Sequence, residues 1–301
     1  MDYYITKKKK FKIISYAFNK VLKNDKFILL DGGAAGVISE PFNCSSENIQ
    51  SIRFEPRGKD VVELSSDDIF IDGGLWDSDC VKTLHIGKES DAASICEPNK
   101  DFLQRFDDRY GYEARKPEKK IEVKLRSIDS CISNNEMPLP NFIKLDIHSA
   151  ELPALNGASK SLDNCVGLLI ETWNSEVHKS QGLHHEVEKF LIDAGYEVFD
   201  NICGARWKHK FNEEVCDSDN GQYIGSEILF IKKNVPKDLL IKKAFCLSLF
   251  KFGNEAKNTL NHLQSNVGIE LIQAITKQQN KNDKSFMLKL KKIYRTIKKY
   301  I

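Results

Sequence analysis

Short apolar segments recur along the first 235 residues, separated by polar or helical stretches. Several are continuously apolar and end in an acidic residue, a pattern typical of parallel strands that are buried on both faces and carry chemistry at their carboxyl ends. The segments predicted to be strands are KFILLD, IQSIRFEP, DIFIDGGLW, VKTLHIG, IEVKLRSID, NFIKLDIH, VGLLIETW, YEVFD and SEILFIKK. Because helical patterns alternate with them, the sequence predicts an α/β fold with a doubly wound, mostly parallel sheet.

Helical patterns lie before and within this series. Residues 8–23 have an amphipathic pattern that leads into the domain. Residues 183–195 have apolar positions at helical spacing and end at Gly195, which suits a C-terminal cap. The segments VKTLHIGKESDAASICEP and IEVKLRSID predict a strand-rich insertion.

After Pro236 the pattern becomes helical, with two apolar-periodic segments that meet at Gly253 and Asn254, as in one helical hairpin of the tetratricopeptide kind. The last segment, SFMLKLKKIYRTIKKYI, predicts a helix with lysines around one apolar stripe. That stripe consists of Phe286, Leu290, Ile293, Ile297 and Tyr300. The predicted regions are an N-terminal helical lead-in at 1–25, an α/β domain at 26–235 and a basic helical extension at 236–301.

Composition limits the class of protein. With 41% hydrophobic and 29% charged residues, the sequence is typical of a globular protein. No apolar run reaches the ~20 residues that span a bilayer. The first residues lack an apolar leader segment, so we expect no export. The eight cysteines form no CxxC pair, which argues against a zinc cluster or a disulfide framework and favours reduced thiols in a cytoplasmic protein.

Charge is distributed unevenly along the chain. Residues 236–301 contain fourteen Lys/Arg and four Asp/Glu, a local charge of +10, whereas residues 1–235 contain 31 basic and 39 acidic groups, a charge of −8. The acidic charge of the larger part argues against nucleic acid as a partner. Two interpretations of the basic C-terminal helix stay open: it packs its stripe on the domain, or it binds an anionic membrane surface or a protein partner.

The segment ILLDGGAAGVISEPF, residues 28–42, contains the first candidate site. Its apolar run ends at Asp31 and three glycines follow, which predicts a buried strand, a tight turn and the start of a helix. The turn lacks both the GxxxxGK[ST] pattern of a phosphate-binding loop and the GxGxxG pattern of a dinucleotide site. S-adenosylmethionine, which has no phosphates, fits better. Gly33 and Gly36 would let the backbone approach it, and Asp31 would accept from its ammonium group.

A second acid supports a nucleoside-containing cofactor. Glu55 ends the segment IRFE, 24 residues after Asp31. An acid at about this separation is placed to accept hydrogen bonds from both ribose hydroxyls of an adenosine, although it also suits a cap of the next helix. The two acids and the glycines indicate an adenosine-containing cofactor without separating a methyl donor from NAD.

Together, these segments resemble the FkbM-type S-adenosylmethionine-dependent methyltransferases. The resemblance extends over roughly residues 27–231 and rests on the order and spacing of LLDGGAAGVISEPF, FEP, GGLWDSDCVKTLHIGKESDAASICEP, IKLDIHSAELPALNGA, IETWNSEVHKSQGLHHEVEKFLIDAGYEVFD and the closing strand. It implies a class I methyltransferase (Rossmann-like) fold, S-adenosylmethionine as the cofactor and, usually, methylation of a hydroxyl on a sugar or a complex natural product.

The resemblance also implies roles for individual residues. The positions that match its cofactor site are Asp31, Gly33, Gly36, Glu55, Trp76 and Asp77. Ser94 matches a serine near the active site, and Lys144, Asp146 and Glu151 match a KxDxxxxE element. The family usually has Gln or Glu and then Gly ahead of the AE pair of this element, whereas this chain has His148-Ser149.

Methyl transfer to a hydroxyl needs a group that removes the hydroxyl proton. The candidates at predicted strand ends are Asp146, His148, Glu151 and Glu171. A histidine titrates near neutrality and suits a general base, and on a continuing strand Asp146 and His148 would share one face. Asp146 has three open roles: base, orienter of the base or ligand of a divalent ion.

Aromatic and histidine side chains near residues 173–207 supply a candidate acceptor surface. Trp173 and Trp207, with Arg206, would provide a stacking surface for a sugar ring. The histidines at 178, 184 and 185 resemble a metal site, but the adjacent pair 184 and 185 points to different sides of a helix, so no metal site is predicted there.

The favoured function is an S-adenosylmethionine-dependent O-methyltransferase that acts on a hydroxyl of a sugar, a glycan or a glycosylated metabolite. The main alternative is a methyltransferase-like binding or scaffold module without catalysis. The reason to consider it is that His148-Ser149 differs from the residues that the family usually has there. A nicotinamide oxidoreductase is disfavoured because the full glycine fingerprint is missing. The sequence leaves the acceptor, the oligomeric state and the use of a divalent metal open.

Overall fold

The protein is described here by a computed structural model, which gives the backbone of residues 8–297 and the side chains of residues 11–282. Two compact units make up this chain. One contains Ile28–Val37 and Gln50–Asn234, and the other contains Ile38–Ile49 with the described parts of Met1–Phe27 and Val235–Ile301. No helix within the described backbone has the length and apolar character that crossing a membrane requires. The predicted boundaries at residues 25 and 235 stay predictions.

Every segment predicted to be a strand contains one. The strands are β1 (Phe27–Gly32), β2 (Ile49–Glu55), β3 (Ile69–Asp72), β4 (Gly74–Leu75), β5 (Cys80–Ile86), β6 (Lys119–Arg126), β7 (Phe142–Leu145), β8 (Gly167–Trp173), β9 (Tyr196–Trp207) and β10 (Gln222–Lys232). The segment DIFIDGGLW divides into β3 and β4, and the strand that begins at YEVFD extends to Trp207.

The main sheet has seven strands in the order β3-β2-β1-β7-β8-β10-β9. The pairs β2–β3, β1–β7 and β7–β8 are parallel, whereas β10 runs antiparallel to both β8 and β9. The registers Gly32↔Leu145 and Leu145↔Ile170 bring the carboxyl ends of β1, β7 and β8 to one edge. The predicted doubly wound, mostly parallel sheet is confirmed.

Burial explains why the central strands are apolar throughout. All four residues of β7 are buried, and the inner residues of β8 are also buried. A branched aliphatic strand covered on both faces gains about 25 cal/mol per Å² of apolar surface removed from water. Tyr196 begins β9 inside this core, and its hydroxyl lies 2.7 Å from the carbonyl oxygen of Leu162, so the polar atom of the ring has a partner.

The predicted strand-rich insertion forms a second sheet between β3 and β7 in the chain. Its three strands lie in the order β4-β6-β5, with β5 antiparallel to β6. Leu84, Val123 and Leu125 are its buried apolar residues. Ser94 lies within the insertion, in the long connection between β5 and β6.

The helix predicted after the glycine turn is absent. Residues 33–41 are irregular, and a 3-10 segment, Phe42–Asn48, follows. Gly36 has φ +72°, outside the right-handed helical region, and Pro41 disfavours that region for the residue before it. The Ser and Asn side chains of NCSSEN also compete with helical backbone hydrogen bonds.

Helices form over the predicted segments at 8–23 and 183–195 and after Pro236, and four short helices that the sequence analysis did not predict lie between them. The helices are α1 (Lys8–Leu22), α2 (Lys100–Leu103), α3 (Tyr112–Arg115), α4 (Ile128–Ser133), α5 (Glu151–Asn156), α6 (His184–Asp193), α7 (Leu240–Leu249), α8 (Gly253–Asn261) and α9 (Asn266–Ile297). Gly195 follows α6 with φ +88°, the left-handed conformation of a glycine cap.

The helical unit contains α1, α7, α8 and α9. The rings of Phe18 and Phe27 each lie 5.2 Å from the ring of Phe245, between centroids, which packs α1 and the start of β1 on α7. The link between α7 and α8 turns at Lys251, with φ +69°, just before the predicted hinge. The predicted apolar stripe at 286, 290, 293, 297 and 300 lies outside the residues whose side chains are described, so the membrane or partner role of the tail stays a prediction.

Candidate active site

A row of buried charges crosses the carboxyl ends of β1, β2 and β7. Asp31 lies between two cations, with its Oδ2 3.3 Å from Arg53 Nε and its Oδ1 3.6 Å from Lys144 Nζ. Lys144 Nζ also lies 3.4 Å from Asp146 Oδ2. The Arg53 side chain is fully buried, and it donates to the carbonyl oxygens of Ala34 and Gly36. Arg53 therefore ties the glycine turn to β2.

Burial and charge act in opposite directions on these groups. Burial raises the pKa of Asp31 despite the neighbouring Lys144 and Arg53. Burial alone would lower the pKa of Lys144, but Asp146 and Asp31 outweigh it and raise that pKa. The Asp146 carboxyl is also buried in its surroundings, yet Lys144 and His148 hold its pKa below the usual value. Lys144 is thus a permanent cation between two acids, and the structure favours a positioning role for it over direct contact with substrate.

The two predicted cofactor glycines have different reasons to be glycine. Gly33 has φ +78°, and a Cβ at this position would lie 2.1 Å from the carbonyl oxygen of Asp146. Gly36 has φ +72°, but no atom lies within 4 Å of its Cβ position. The first glycine therefore lets the turn pack against the end of β7, whereas the second only permits a left-handed backbone.

Glu55 lies buried at the end of β2, as the sequence predicts for a ribose acid, but it already has a partner. Arg57 donates from Nε to Glu55 Oε1 at 2.9 Å and from Nη2 to Oε2 at 3.1 Å, and its backbone N–H donates to Oε1 at 3.0 Å. A carboxylate accepts about four hydrogen bonds, so capacity remains, but the Arg57 side chain covers the outer side.

Trp76 and Asp77 follow β4. The Trp76 ring is half-buried and carries Lys82 Nζ 4.7 Å from its centroid, while Asp77 is exposed and accepts from the Ser78 hydroxyl at 2.6 Å. Neither side chain is buried, so both are open to a ligand at this edge.

The segment after β7 does not continue as a strand. β7 ends at Leu145, and His148 and Ser149 have φ +49° and +86°. The expectation that Asp146 and His148 share one strand face is therefore wrong. The left-handed φ at 149 also explains why the resembling family usually has glycine there. The Ser94 hydroxyl donates to the His148 carbonyl oxygen at 2.6 Å, so Ser94 fastens this turn and its hydrogen is not available to a substrate.

This turn directs His148 at Glu171. The His148 Nδ1 lies 3.2 Å from Glu171 Oε2, and Nε2 faces the backbone carbonyl oxygen of Asp91. Ligand atoms of Asp146, His148 and Glu171 all lie within 4.8 Å of one another, and we call these three residues the acid–histidine cluster. Burial alone would lower the pKa of His148, but Glu171 and then Asp146 raise it to about 9. In the absence of a metal ion, the two carboxylates thus favour a proton on the imidazole, whereas the sequence predicts titration near neutrality.

Ser149 belongs to a buried polar network behind the turn. Its hydroxyl donates to Gln181 Oε1 at 2.9 Å and so accepts from Nδ1 of His178 at 2.7 Å. Burial, Arg115 and His148 hold the pKa of His178 well below its usual value, so this ring stays neutral. His178 is thus a hydrogen-bond partner of the serine.

Glu151 begins α5 and is also directed inward. Its Oε1 accepts from the backbone N–H of Ile147 at 3.0 Å, and the residue is 3% exposed. Burial and then Glu171 raise the pKa of Glu151 to about 8. These contacts close the turn and favour a positioning role for Glu151 rather than proton removal from a substrate.

A cavity of about 280 Å³ lies on the strands beside the cluster. It is lined by Glu171, Thr172, Trp173, Cys203, Ala205, Gly225, Ser226 and Glu227. The predicted stacking surface is not open. Trp173 and Trp207 are 3% and 6% exposed, and Trp207 stacks on Tyr110 with centroids 5.5 Å apart. Arg206 lies over the ring of Tyr223 instead.

Three functional candidates escaped the sequence analysis. Arg53 supports the glycine turn, Arg57 covers Glu55, and Glu227 faces the cavity, where burial and Asp146 raise its pKa to about 6. Arg53 and Glu227 each interrupt an apolar strand pattern with a charge, which is the signal that would have revealed them. Arg57 lies outside any strand and gave no such signal.

The chemistry of this edge fits S-adenosylmethionine. Asp31 Oδ1 is buried and has no hydrogen bond among the described side chains, so a cofactor ammonium group would satisfy it. Glu55 is a second carboxylate at a strand end, of the kind that accepts hydrogen bonds from ribose hydroxyls. A sheet in this order, with one antiparallel strand beside the last, defines the class I methyltransferases.

Comparison with known proteins identifies the family. The model of the methyltransferase FkbM domain matches residues 46–198, and the chain belongs to the FkbM methyltransferase family. S-adenosylmethionine is its cofactor, as the sequence predicts. No curated protein matches the chain.

Similarity to solved structures is low. A methyltransferase FkbM from Methylobacillus flagellatus KT is 15% identical over 69% of this chain and 44% of that chain, with a TM-score of 0.37. The magnesium protoporphyrin IX methyltransferase of Synechocystis PCC 6803, solved with bound SAM, is 9% identical over 75% of this chain and 80% of that one, with a TM-score of 0.30. A precorrin-6y C5,15-methyltransferase from Geobacter metallireducens GS-15 is 10% identical over 73% and 89%, with a TM-score of 0.31.

The glycine turn gives the first test. Gly36→Ala should lower the free energy of unfolding by about 1–2 kcal/mol, the cost of a left-handed residue with a Cβ. Gly33→Ala should cost clearly more, because its Cβ also meets the Asp146 carbonyl oxygen. Urea unfolding of both variants measures the difference. Equal losses would show that the turn does not pack on β7 as described.

Proposed function

We propose that this chain transfers the methyl group of S-adenosylmethionine to a hydroxyl of a sugar, a glycan or a glycosylated metabolite. The cofactor supplies an activated methyl group on a sulfonium. In the transfer the carbon–sulfur bond breaks and a carbon–oxygen bond forms, and the hydroxyl proton leaves to a group of the protein. Glycan or polysaccharide synthesis in the cytoplasm is the setting that this proposal implies.

The observation that carries the proposal is the cavity beside the acid–histidine cluster. The charged side chains of its lining are two carboxylates, Glu171 and Glu227, which lie on the same face of β8 and β10. Carboxylates accept hydrogen bonds from hydroxyl groups, so several sugar hydroxyls would find acceptors here. The volume of about 280 Å³ suits a single sugar ring rather than a large aromatic ring system.

Separate roles follow for the two sides of the site. Asp31, Gly33, Gly36 and Glu55 would hold the cofactor, with Trp76 and Asp77 near its base. The acid–histidine cluster, at the edge of the cavity, would orient the acceptor hydroxyl and receive its proton. Trp173 is part of the lining of the cavity, while Ser94, Lys144 and Glu151 would keep the cluster in position.

A binding or scaffold module is the second candidate, and one contact favours it. Arg57 covers Glu55 with three hydrogen bonds, and the Glu55 side chain is only 3% exposed. A cofactor ribose has to share the Glu55 carboxylate with this arginine or displace the arginine from it. If it cannot, the chain has the family fold without a working cofactor site.

Cofactor binding separates these two functions. S-adenosylhomocysteine should bind the full chain in the micromolar range by calorimetry, and Glu55→Ala should abolish binding because the ribose hydroxyls lose their acceptor. Glu63→Ala, which removes an exposed acid nearby, should leave binding unchanged. Arg57→Ala should tighten binding, since it removes the competitor for Glu55. Absence of binding in every variant, Arg57→Ala included, would support the scaffold function.

The acceptor atom is tested by the stability of the product. Labelled methyl groups from S-adenosylmethionine should be transferred to members of a panel of nucleotide sugars and oligosaccharides. The product should resist mild alkali, because a methyl ether does not hydrolyse there as an ester does. Asp146→Asn should lower turnover by roughly 10²–10⁴-fold, the usual contribution of a positioned proton acceptor. Label released by mild alkali would contradict transfer to a hydroxyl.

A further inference from the structure

We propose that Asp146, His148 and Glu171 bind a divalent transition-metal ion, for which Mn²⁺ is the best probe. These three residues lie at the ends of β7 and β8, apart from the glycine turn. Metal binding itself does not depend on the proposed function, whereas the use of the metal to activate an acceptor hydroxyl rests on it.

The orientation of His148 is the first support. Its Nε2 faces the carbonyl oxygen of Asp91, which only accepts, so Nε2 carries a hydrogen. In the neutral ring the lone pair is then on Nδ1. Histidines that bind metals usually donate their other ring N–H to a carbonyl or carboxylate in this way. The backbone contact therefore presents Nδ1 as a ligand.

The second support is what Nδ1 faces. Glu171 Oε2 lies 3.2 Å away, yet Nδ1 and Oε2 are both buried and make no hydrogen bond of acceptable geometry within the described side chains. Two buried acceptor atoms that face each other need a positive centre near both of them. Asp146 adds a third ligand, since one atom from each residue lies within 4.8 Å of the other two.

Asp146 has an oxygen to spare. Its Oδ2 lies 3.4 Å from Lys144, which leaves Oδ1 free to face the cluster, and the side chain is 34% exposed. Lys144 is the nearest cation that would repel a metal ion. Asp31 on the other side of Lys144 neutralises part of that charge. The second opposing cation, Arg115, stacks on Trp207 and acts on Glu171 by charge alone.

Charge balance also leaves room for a cation. The cations of this edge are Arg53, Lys144 and Arg115, and the acids are Asp31, Asp146, Glu171 and Glu227, apart from Glu151, whose proton is retained because burial and Glu171 raise its pKa to about 8. One negative charge remains before His148 is counted. Either a proton on His148 or a metal ion between the three ligands compensates it.

Backbone strain holds the ligand in place. His148 and Ser149 are both left-handed, at φ +49° and +86°, and non-glycine residues adopt this conformation at a cost of about 1–2 kcal/mol each. The Ser94 hydroxyl and the Ser149–His178–Gln181 network fix that turn. Strain that the surroundings enforce is typical of functional sites.

One imidazole and two carboxylates suit Mn²⁺, Fe²⁺ or Co²⁺ better than Mg²⁺, which prefers oxygen ligands alone. Three protein ligands leave positions on the ion for water or a substrate oxygen. Glu171 also lines the cavity, so those positions would face the proposed acceptor. A hydroxyl on a divalent ion loses its proton far more readily than a free one.

Electron paramagnetic resonance of Mn²⁺ tests the site with the full chain. Titration should show one saturable Mn²⁺ per chain, and pulsed spectra should show coupling to one imidazole nitrogen. His148→Gln should remove that coupling. Glu171→Gln and Asp146→Asn should each weaken binding on the order of tenfold or more.

The His184–Glu188 pair is the matched control, because its Nε2 and Oε2 lie 3.0 Å apart without a third ligand. Glu188→Gln should leave Mn²⁺ binding unchanged, and thermal melting shows whether each variant is folded. No saturable binding, no nitrogen coupling, or the same loss in Glu188→Gln as in Glu171→Gln would overturn the inference. Binding of S-adenosylhomocysteine without binding of Mn²⁺ would disprove the metal site alone. Binding of Mn²⁺ without binding of S-adenosylhomocysteine would disprove the proposed function alone.

Discussion

The position of the Lys144 ammonium group between Asp31 and Asp146 is the interaction on which the rest of this site depends. It joins the ends of β1 and β7 at 3.6 Å and 3.4 Å, inside a region where an unpaired charge is very costly. Because Arg53 lies on the other side of Asp31, the alternation of charges continues to β2 and to the glycine turn. Asp31 and Asp146 are therefore fixed by the cations that lie between and beside them.

This constraint also fixes the chemistry beside it. With Asp146 held by Lys144, the chain turns sharply through two left-handed residues and directs the His148 ring away from the strand, toward Glu171 on β8. The cavity on β8 and β10 begins at the same glutamate. The proposed cofactor side and the proposed acceptor side thus meet at the end of β7, which is where open parallel sheets generally bind their ligands.

The sequence predicted the strands and the positions of Asp31 and Glu55 at strand ends, because continuous apolar runs that end in a charge leave few alternatives. It failed where tertiary contacts decide. The turn after Gly36 forms no helix, the rings of Trp173 and Trp207 pack inside an aromatic cluster, and His148 pairs with Glu171 rather than Asp146. The partner of Glu55 was also missed, because only the folded loop brings Arg57 back onto it. The local pattern of apolar and polar residues does not predict such contacts between side chains that are distant in sequence.

A double-mutant cycle on Lys144 and Asp31 tests the central claim most directly. Lys144→Met should cost about 3–5 kcal/mol in urea unfolding, because it leaves a buried acid without its cation. Asp31→Asn in the same chain should recover part of that loss, which gives a coupling energy of about 1–3 kcal/mol. Additive losses would contradict the account, since they would mean that the two charges do not hold the strand ends together.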